Sequence, residues 1–329
     1  MKHLVILVPE GQNNLSSIVG AYKIMTRANQ YWENLGNPPV FDIQLGGLSK
    51  EVKFHNELFA AYPTNISKIK RADLIIIPSL NHNFLIGIEK NQVIIKWIRE
   101  QHFKGSEVAS ICTGAFLLAS TGLLDGKECS THWSAAEALR KMFPEVNLVS
   151  EKTITDSHGI YTNGGAFSFL NLILYLVEKY FDRKTAIYCA KVFQIDIERS
   201  SQSPFTIFSG LKDHPDEDIK KAQQIIEKSH KEKILVEDLA SRFAVGRRNF
   251  DRRFKRATGN TPIEYLQKVK VEAAKRSLES SRKNVAEVMQ DVGYSDQKAF
   301  RELFKKLTGL SPLEYRNKYN KSSKLKAES

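Results

Sequence analysis

Leu4-Val5-Ile6-Leu7-Val8 is a short run with no polar position, rich in branched side chains. Such a run marks a strand buried on both faces, because a half-exposed strand alternates apolar with polar residues. Further buried-strand candidates are Phe41–Leu45, Leu74–Ile77, Val108–Cys112 and Ile160–Thr162. Between or after them the apolar residues take helical spacing: from about Ser16 to Asn29, then Ile88–Gln101, Gly114–Ser120, Ser134–Met142 and Ala166–Tyr180. Strands alternating with helices predict an α/β domain. Its sheet is doubly wound, mostly parallel and flavodoxin-like, with helices on both faces. In such a sheet the site lies at the C-terminal ends of the strands.

Past residue 215 the pattern becomes all-α. Asp216–Ser229 carries a one-faced stripe of Ile219, Ala222, Ile225 and Ile226. Val236–Phe243 is a short amphipathic helix, Ala244-Val245-Gly246 a turn, and Arg247–Thr258 a second helix stopped by Gly259. Two short helices joined by a tight turn form a helix-turn-helix. The plan then repeats: helix Val285–Val292, turn Gly293-Tyr294-Ser295, helix Asp296–Thr308, stop Gly309. At one offset of 50 residues, Phe250 falls on Phe300, Phe254-Lys255 on Phe304-Lys305 and Thr258-Gly259 on Thr308-Gly309. Pro262 falls on Pro312 and Glu264-Tyr265 on Glu314-Tyr315. Two copies are too few for a solenoid, so they read as related units that act together. Pro262 to about Glu279 reads as one helix between them. At ~1.5 Å per residue it spans ~27 Å, which sets two helices near the ~34 Å of one DNA turn.

Charge sharpens this division. The formal net charge is +12. From Asp216 onward there are 27 Lys and Arg against 17 Asp and Glu, so the last third holds ten of the twelve excess charges. A basic domain joined to a near-neutral one suggests a polyanionic partner, with double-stranded DNA first. The expected organisation is a ligand-sensing or dimerisation domain over 1–195, a linker over 196–215, a DNA-binding domain over 216–318 and a disordered basic tail over 319–329. The linker is rich in Ser, Pro and Asp, although Phe205, Ile207 and Phe208 suggest that part of it packs on a domain. Cys112, Cys129 and Cys189 are odd in number and match no zinc spacing. No secretory signal and no apolar stretch of membrane length is visible, so the chain reads as cytoplasmic, without membrane, metal or cofactor.

One strand end carries candidate chemistry. Ser110-Ile111-Cys112-Thr113-Gly114-Ala115 passes from apolar strand to apolar helix with a thiol at the turn. That is the form of a nucleophile elbow, and a helix N-terminus behind it would lower the thiol's pKa. The plain alternative is a buried, inert cysteine. His132, in Ser130-Thr131-His132-Trp133, is a candidate base or a loop histidine. Residues 110–133 resemble the PfpI-like branch of the class I glutamine amidotransferase-like superfamily, and more narrowly the ligand domain of GlxA-type transcription regulators. The resemblance covers roughly residues 1–195. It implies a nucleophile at Cys112 with His132 in the enzymatic relatives, and here a ligand pocket of Ser17, Ser79, Cys112, Thr113 and His132. Two departures weigh against hydrolysis. Ser17 stands where relatives carry an acid, and Pro78-Ser79-Leu80-Asn81 has no glycine pair to receive an oxyanion. The expectation is therefore a binding pocket that has kept the elbow. The alternatives are a cysteine-dependent amidase or glyoxalase-like hydrolase using Cys112 and His132, or a redox sensor through Cys112.

In the basic domain, Phe250 and Phe254 turn inward. Arg247, Arg248, Asp251 and Arg252 then face outward on the first recognition helix, and Gln297, Lys298, Arg301 and Glu302 on the second. Arg and Lys suit guanine edges, and Gln suits adenine. Arg253, Lys255, Arg256, Lys305 and Lys306 are assigned to phosphate. The stretch GYSDQKAFRELFKKLTGLSPLEYR, residues 293–316, is similar to the signature of AraC/XylS transcription regulators. Gly246 stands where relatives often have a capping Ser, and Met289 where they have a small Ala. The two resemblances imply a sequence-specific transcription regulator that binds promoter or operator DNA and an unknown small-molecule effector. They also imply a homodimer, with RNA polymerase as a further partner.

Overall fold

The computed structural model describes residues 1–320 except Gln12, His82, 198–200 and Lys233. The expected tail lies outside the described residues from 321 on. The chain divides into two compact units, residues 1–202 and 203–329.

The first unit is α/β. Its elements run β1 (Lys2–Val8), α1 (Leu15–Asn34), β2 (Phe41–Gly47), β3 (Val52–Phe54), β4 (Phe59–Ala61), β5 (Thr64–Asn65), β6 (Leu74–Ile77), α2 (Phe84–Lys90) and α3 (Gln92–Phe103). There follow β7 (Glu107–Ile111), α4 (Ala115–Ser120), β8 (Glu128–Cys129), α5 (Ala136–Met142), β9 (Asn147–Leu148), β10 (Ile154–Asp156), β11 (Ile160–Asn163), α6 (Phe169–Tyr180) and α7 (Arg183–Phe193). The main sheet has the order β10-β11-β7-β6-β1-β2-β5. Its pairs are parallel, with β10 alone added antiparallel at the edge. Leu4 to Val8 and Leu74 to Ile77 are fully buried, as unbroken apolar runs demand. Each face of the sheet has its own apolar layer. Leu4, Ile6 and Val8 pack with α1, α6 and α7, while Val5 and Leu7 pack with α3 and α4.

Two expectations change. The helix expected over Ile88–Gln101 is two helices, broken at Asn91. The Asn91 amide is needed elsewhere: it donates to Gly87 O at 2.7 Å and Glu10 O at 2.9 Å, and accepts from Glu10 N at 2.7 Å. It thereby anchors the loop after β1. The strand expected to reach Cys112 stops at Ile111, because Cys112 adopts φ 53° and opens a turn of 3-10 helix.

The second unit is all-helical: α8 (Glu217–Lys228), α9 (Val236–Ser241), α10 (Arg247–Thr258), α11 (Pro262–Ser280), α12 (Val285–Asp291), α13 (Gln297–Thr308) and α14 (Pro312–Tyr319). The sequence repeat is a structural repeat down to single hydrogen bonds. Phe250 and Phe254 have ring centroids 5.7 Å apart, and Phe300 and Phe304 5.8 Å. Phe254 meets Tyr265 edge-on at 5.4 Å, as Phe304 meets Tyr315 at 5.5 Å. Thr258 Oγ1 and Thr308 Oγ1 each donate to the preceding turn, at 2.8 Å to Phe254 O and Phe304 O. Gly259 and Gly309 end their helices at φ 71° and 74°, which glycine reaches without steric cost. Thr261 and Ser311 then form capping boxes with Glu264 and Glu314, with Pro at the first helical position.

Each copy has one further lock. Tyr265 Oη donates to Glu227 at 2.6 Å, and Tyr315 Oη donates to Glu279 at 2.6 Å. Glu227 ends α8 and Glu279 ends α11. Helix α11 therefore does for the second copy what α8 does for the first. Its first half supplies Tyr265 to one apolar cluster, and its second half supplies Val271, Ala274 and Leu278 to the other. Residues 203–215, expected within the linker, belong to this unit; Phe208 packs on Tyr265.

Candidate pocket and nucleic-acid interface

Three loops meet at the C-terminal ends of β1, β6 and β7. An isolated bridge between Asn13 and Leu80 ties the first two together. Asn14 caps α1 by accepting Ser16 N at 3.0 Å. Ser17 Oγ donates to Asn14 O at 2.7 Å and accepts from Ser79 N at 3.1 Å. Ser79 Oγ lies 2.8 Å from Thr113 Oγ1, which donates to Leu80 O at 2.6 Å. This chain of hydroxyls holds the β1, β6 and β7 loops in one arrangement. The close approach is built in at Gly114, where a Cβ would stand 2.6 Å from Pro78 O.

The result is a cavity of about 290 Å³. Ser17, Ser79, Cys112, Thr113 and His132 all line it, so the structure brings these five together. Asn14, Asn81, Phe84, Ser134, Ala166 and Phe169 also line it and were not expected. Asn14 and Asn81 follow strand ends, a position that marks candidates in a parallel sheet. Phe84 carries no such signal, since its place depends on stacking against Phe116 at 3.9 Å.

The electrostatics of Cys112 differ from the expectation. Burial pushes its thiol above the ordinary value of 9.0, against hydrogen bonds from Ser79 and Thr113 that favour the thiolate. Desolvation is the larger effect at this buried turn, Cys112–Gly114. Thr131 Oγ1 donates to Cys112 O at 2.9 Å, tying the elbow to the His132 loop. His132 Nδ1 accepts from Ser134 N at 3.2 Å, so in the neutral ring the proton sits on Nε2. Gln202 is a residue that sequence reasoning missed. It is buried, accepts Trp133 N at 3.2 Å, and donates to Thr131 O at 2.9 Å and to Ser150 O. It fixes the 131–134 loop from behind. Among the described residues, no cluster of three or more His, Cys, Asp or Glu gathers as a metal site would need. No described helix is long and apolar enough to cross a membrane.

On the second unit, Arg248, Arg252 and Arg256 of α10 are exposed. So are Gln297, Lys298, Arg301, Glu302, Lys305 and Lys306 of α13 and Lys255 of α10. Asp296 caps α13, accepting Lys298 N at 2.8 Å and Ala299 N at 3.1 Å. Two expected readers, Arg247 and Asp251, and one expected phosphate contact, Arg253, are engaged in ion pairs. Arg253 grips Asp216 with two bonds, at 3.0 and 2.7 Å, and reaches Asp218 at 2.9 Å. Its fork pins the start of α8 to α10, and the Arg253 guanidinium holds the Asp216 carboxyl below its usual range. Arg247 bonds Asp251 at 2.8 Å and also Glu237, so Arg247 and Asp251 neutralise each other. Helical spacing alone could not separate Arg253 from the open residues, because its partners lie 37 and 35 positions away.

Residues 59–179 match the DJ-1/PfpI family, and residues 239–318 match the helix-turn-helix domain family. Among curated relatives, the transcriptional regulator GbdR of Pseudomonas aeruginosa is 25% identical over 228 residues, 67% of this chain and 61% of that protein. The transcriptional regulator GlxA of Rhizobium meliloti is 26% identical over 213 residues, 61% of this chain and 63% of that protein. The chain therefore joins a DJ-1/PfpI domain to an AraC-type helix-turn-helix domain. It spans less than two thirds of GbdR and GlxA. A Vibrio parahaemolyticus protein described as a transcriptional regulator has a similar solved structure, with TM-score 0.52 and 25% identity over 58% of this chain and 98% of that one. In this AraC-type chain, the DJ-1/PfpI pocket and the recognition helices sit on separate compact units.

The raised thiol yields a prediction. Iodoacetamide should alkylate Cys112 in the native chain no faster than a cysteine of the urea-unfolded chain at pH 7. The rate should rise steadily with pH and still be climbing as pH passes 9. A native Cys112 rate that already levels off below pH 7 would show a stabilised thiolate instead.

Proposed function

We propose that the chain is a sequence-specific DNA-binding transcription regulator, and that its DJ-1/PfpI pocket senses a small molecule without turning it over. The observation that carries this reading is the duplicated helix-turn-helix. Two copies built on the same locks each leave basic side chains open on the recognition helix. Two readers on one chain suit two successive major-groove segments on one face of a duplex. The exposed residues that differ between copies, Arg248 against Lys298 and Arg252 against Glu302, suit an asymmetric site. A homodimer and contact with RNA polymerase are the further partners of this reading, to be checked by light scattering and by a polymerase pull-down.

The chemistry of the pocket supports sensing over catalysis. The thiol is neutral, Ser17 contributes a hydroxyl, and His132 is held by Ser134. Hydroxyls, amides and the thiol share the lining with Leu80, Phe84 and Phe169. Among the described lining residues there is no Asp, Glu, Lys or Arg. A charged ligand would lose hydration there and gain only dipoles, so the effector is an uncharged molecule with polar and apolar parts.

Thermal-shift measurements on the full chain compare benzamide with benzoate and benzylammonium. Benzamide should raise Tm most; a larger shift with either ion would rule out an uncharged effector.

For DNA, gel shifts on a duplex selected from a random pool should show Arg252→Ala weakening binding by about 1–3 kcal/mol at particular bases, with stability kept. Arg253→Ala should instead lower the melting temperature of the helical unit. No preference for the selected duplex over random sequence at moderate salt would overturn the reading.

A further inference from the structure

Residues 203–211 form a strap that touches both helix-turn-helix copies and the helix they share. At the second copy, Tyr319 Oη donates to Pro204 O at 3.0 Å, and Phe205 meets the Tyr319 ring edge-on at 6.5 Å. Lys318 Nζ stands over the Phe205 ring at 4.6 Å. At the first copy, Phe208 meets Tyr265 edge-on at 5.1 Å, and Gln223 donates to Leu211 O at 2.8 Å. Gly210, at φ +68°, lies so close that a Cβ would run into the Tyr265 hydroxyl.

The middle of the strap is held by a buried ion pair on α11. Lys275 Nζ bonds Glu272 Oε2 at 2.8 Å, with the two residues 3% and 8% exposed. Lys275 also donates to Thr206 O, and Glu272 Oε2 accepts Phe208 N at 3.1 Å. A buried pair is a poor source of stability, because desolvation offsets most of its attraction. Its geometry, however, is specific. Here the pair satisfies two backbone groups of the strap at the point where α11 passes from one core to the other. Lys275 Nζ lies 5.9 Å from the Tyr315 ring centre, so the grip reaches the second copy's own lock.

We propose that the strap, gripped by Glu272 and Lys275, is a positioning element for DNA recognition that fixes the setting of the two recognition helices relative to each other. It rests on the DNA-binding reading above. Helix α11 alone sets a length, but a lone helix bends and twists. A strap joined to both copies removes that freedom. When two readers on one chain bind one duplex, the second binds at an effective concentration that geometry sets. Loosening the strap therefore lowers that concentration without touching either reader.

The test uses the full chain and a duplex selected by the wild-type chain from a random pool. It is compared with a duplex keeping one half-site, and with duplexes carrying one to five inserted base pairs between half-sites. The variants are Gly210→Ala and the pair Glu272→Gln with Lys275→Met. Tyr319→Phe removes a single strap hydrogen bond and serves should the others fail to fold by circular dichroism. Each variant should lose on the order of tenfold on the two-half-site duplex, with Tyr319→Phe losing less, and nothing on the single half-site. Its preference among spacings should flatten. Equal losses on both duplexes, or a spacing preference like that of the wild type, would overturn the strap's role while leaving the DNA reading intact. Failure of the wild-type chain to select any sequence would remove both.

Discussion

The helical unit depends on one shared helix. Helix α11 closes the first helix-turn-helix core with Tyr265 and opens the second with Val271, Ala274 and Leu278. No position along it is free to drift, because Glu279 at its end takes the Tyr315 hydroxyl just as Glu227 of α8 takes that of Tyr265. Each tyrosine is fully buried, or nearly so, and its hydroxyl needs an acceptor. That need sets where each preceding helix must end. The register of the two copies thus follows from two buried phenols and the carboxylates that meet them.

The α/β unit is organised by a different constraint. Parallel strands bring loop ends together at one edge of the sheet, and hydroxyls rather than charges join them. Ser17, Ser79 and Thr113 satisfy one another and the nearby backbone. A pocket made this way is preorganised yet mild. Its described lining offers dipoles rather than Asp, Glu, Lys or Arg, and burial raises the pKa of Cys112, which sits at φ 53°.

Much of this was legible in the chain. The buried strands appeared as unbroken apolar runs, and the helix stops appeared as Gly259 and Gly309. The repeat announced the paired cores, since aromatic, glycine and proline positions recur only where packing and turns require them. The five expected pocket residues do share one cavity. What stayed hidden depends on contacts distant in sequence. Arg253 looked like its exposed neighbours until Asp216, 37 positions away, was seen to hold it. Asn91 broke a helix for the sake of Glu10. Short strands such as Phe59–Ala61 carry too little pattern to be seen. The strap looked like linker because it lies in a stretch rich in Ser, Pro and Asp, while Phe205 and Phe208 make its ring contacts.

The central claim is that one chain carries two DNA readers set by a shared helix. Hydroxyl-radical footprinting of the full chain on a selected duplex tests it most directly. The 19 residues of α11 extend ~28 Å, so the account predicts two protected patches on one face, centred about one helical turn apart. A variant with Arg301→Ala should lose only one of them. A single patch, or loss of both patches together in that variant, would contradict the account.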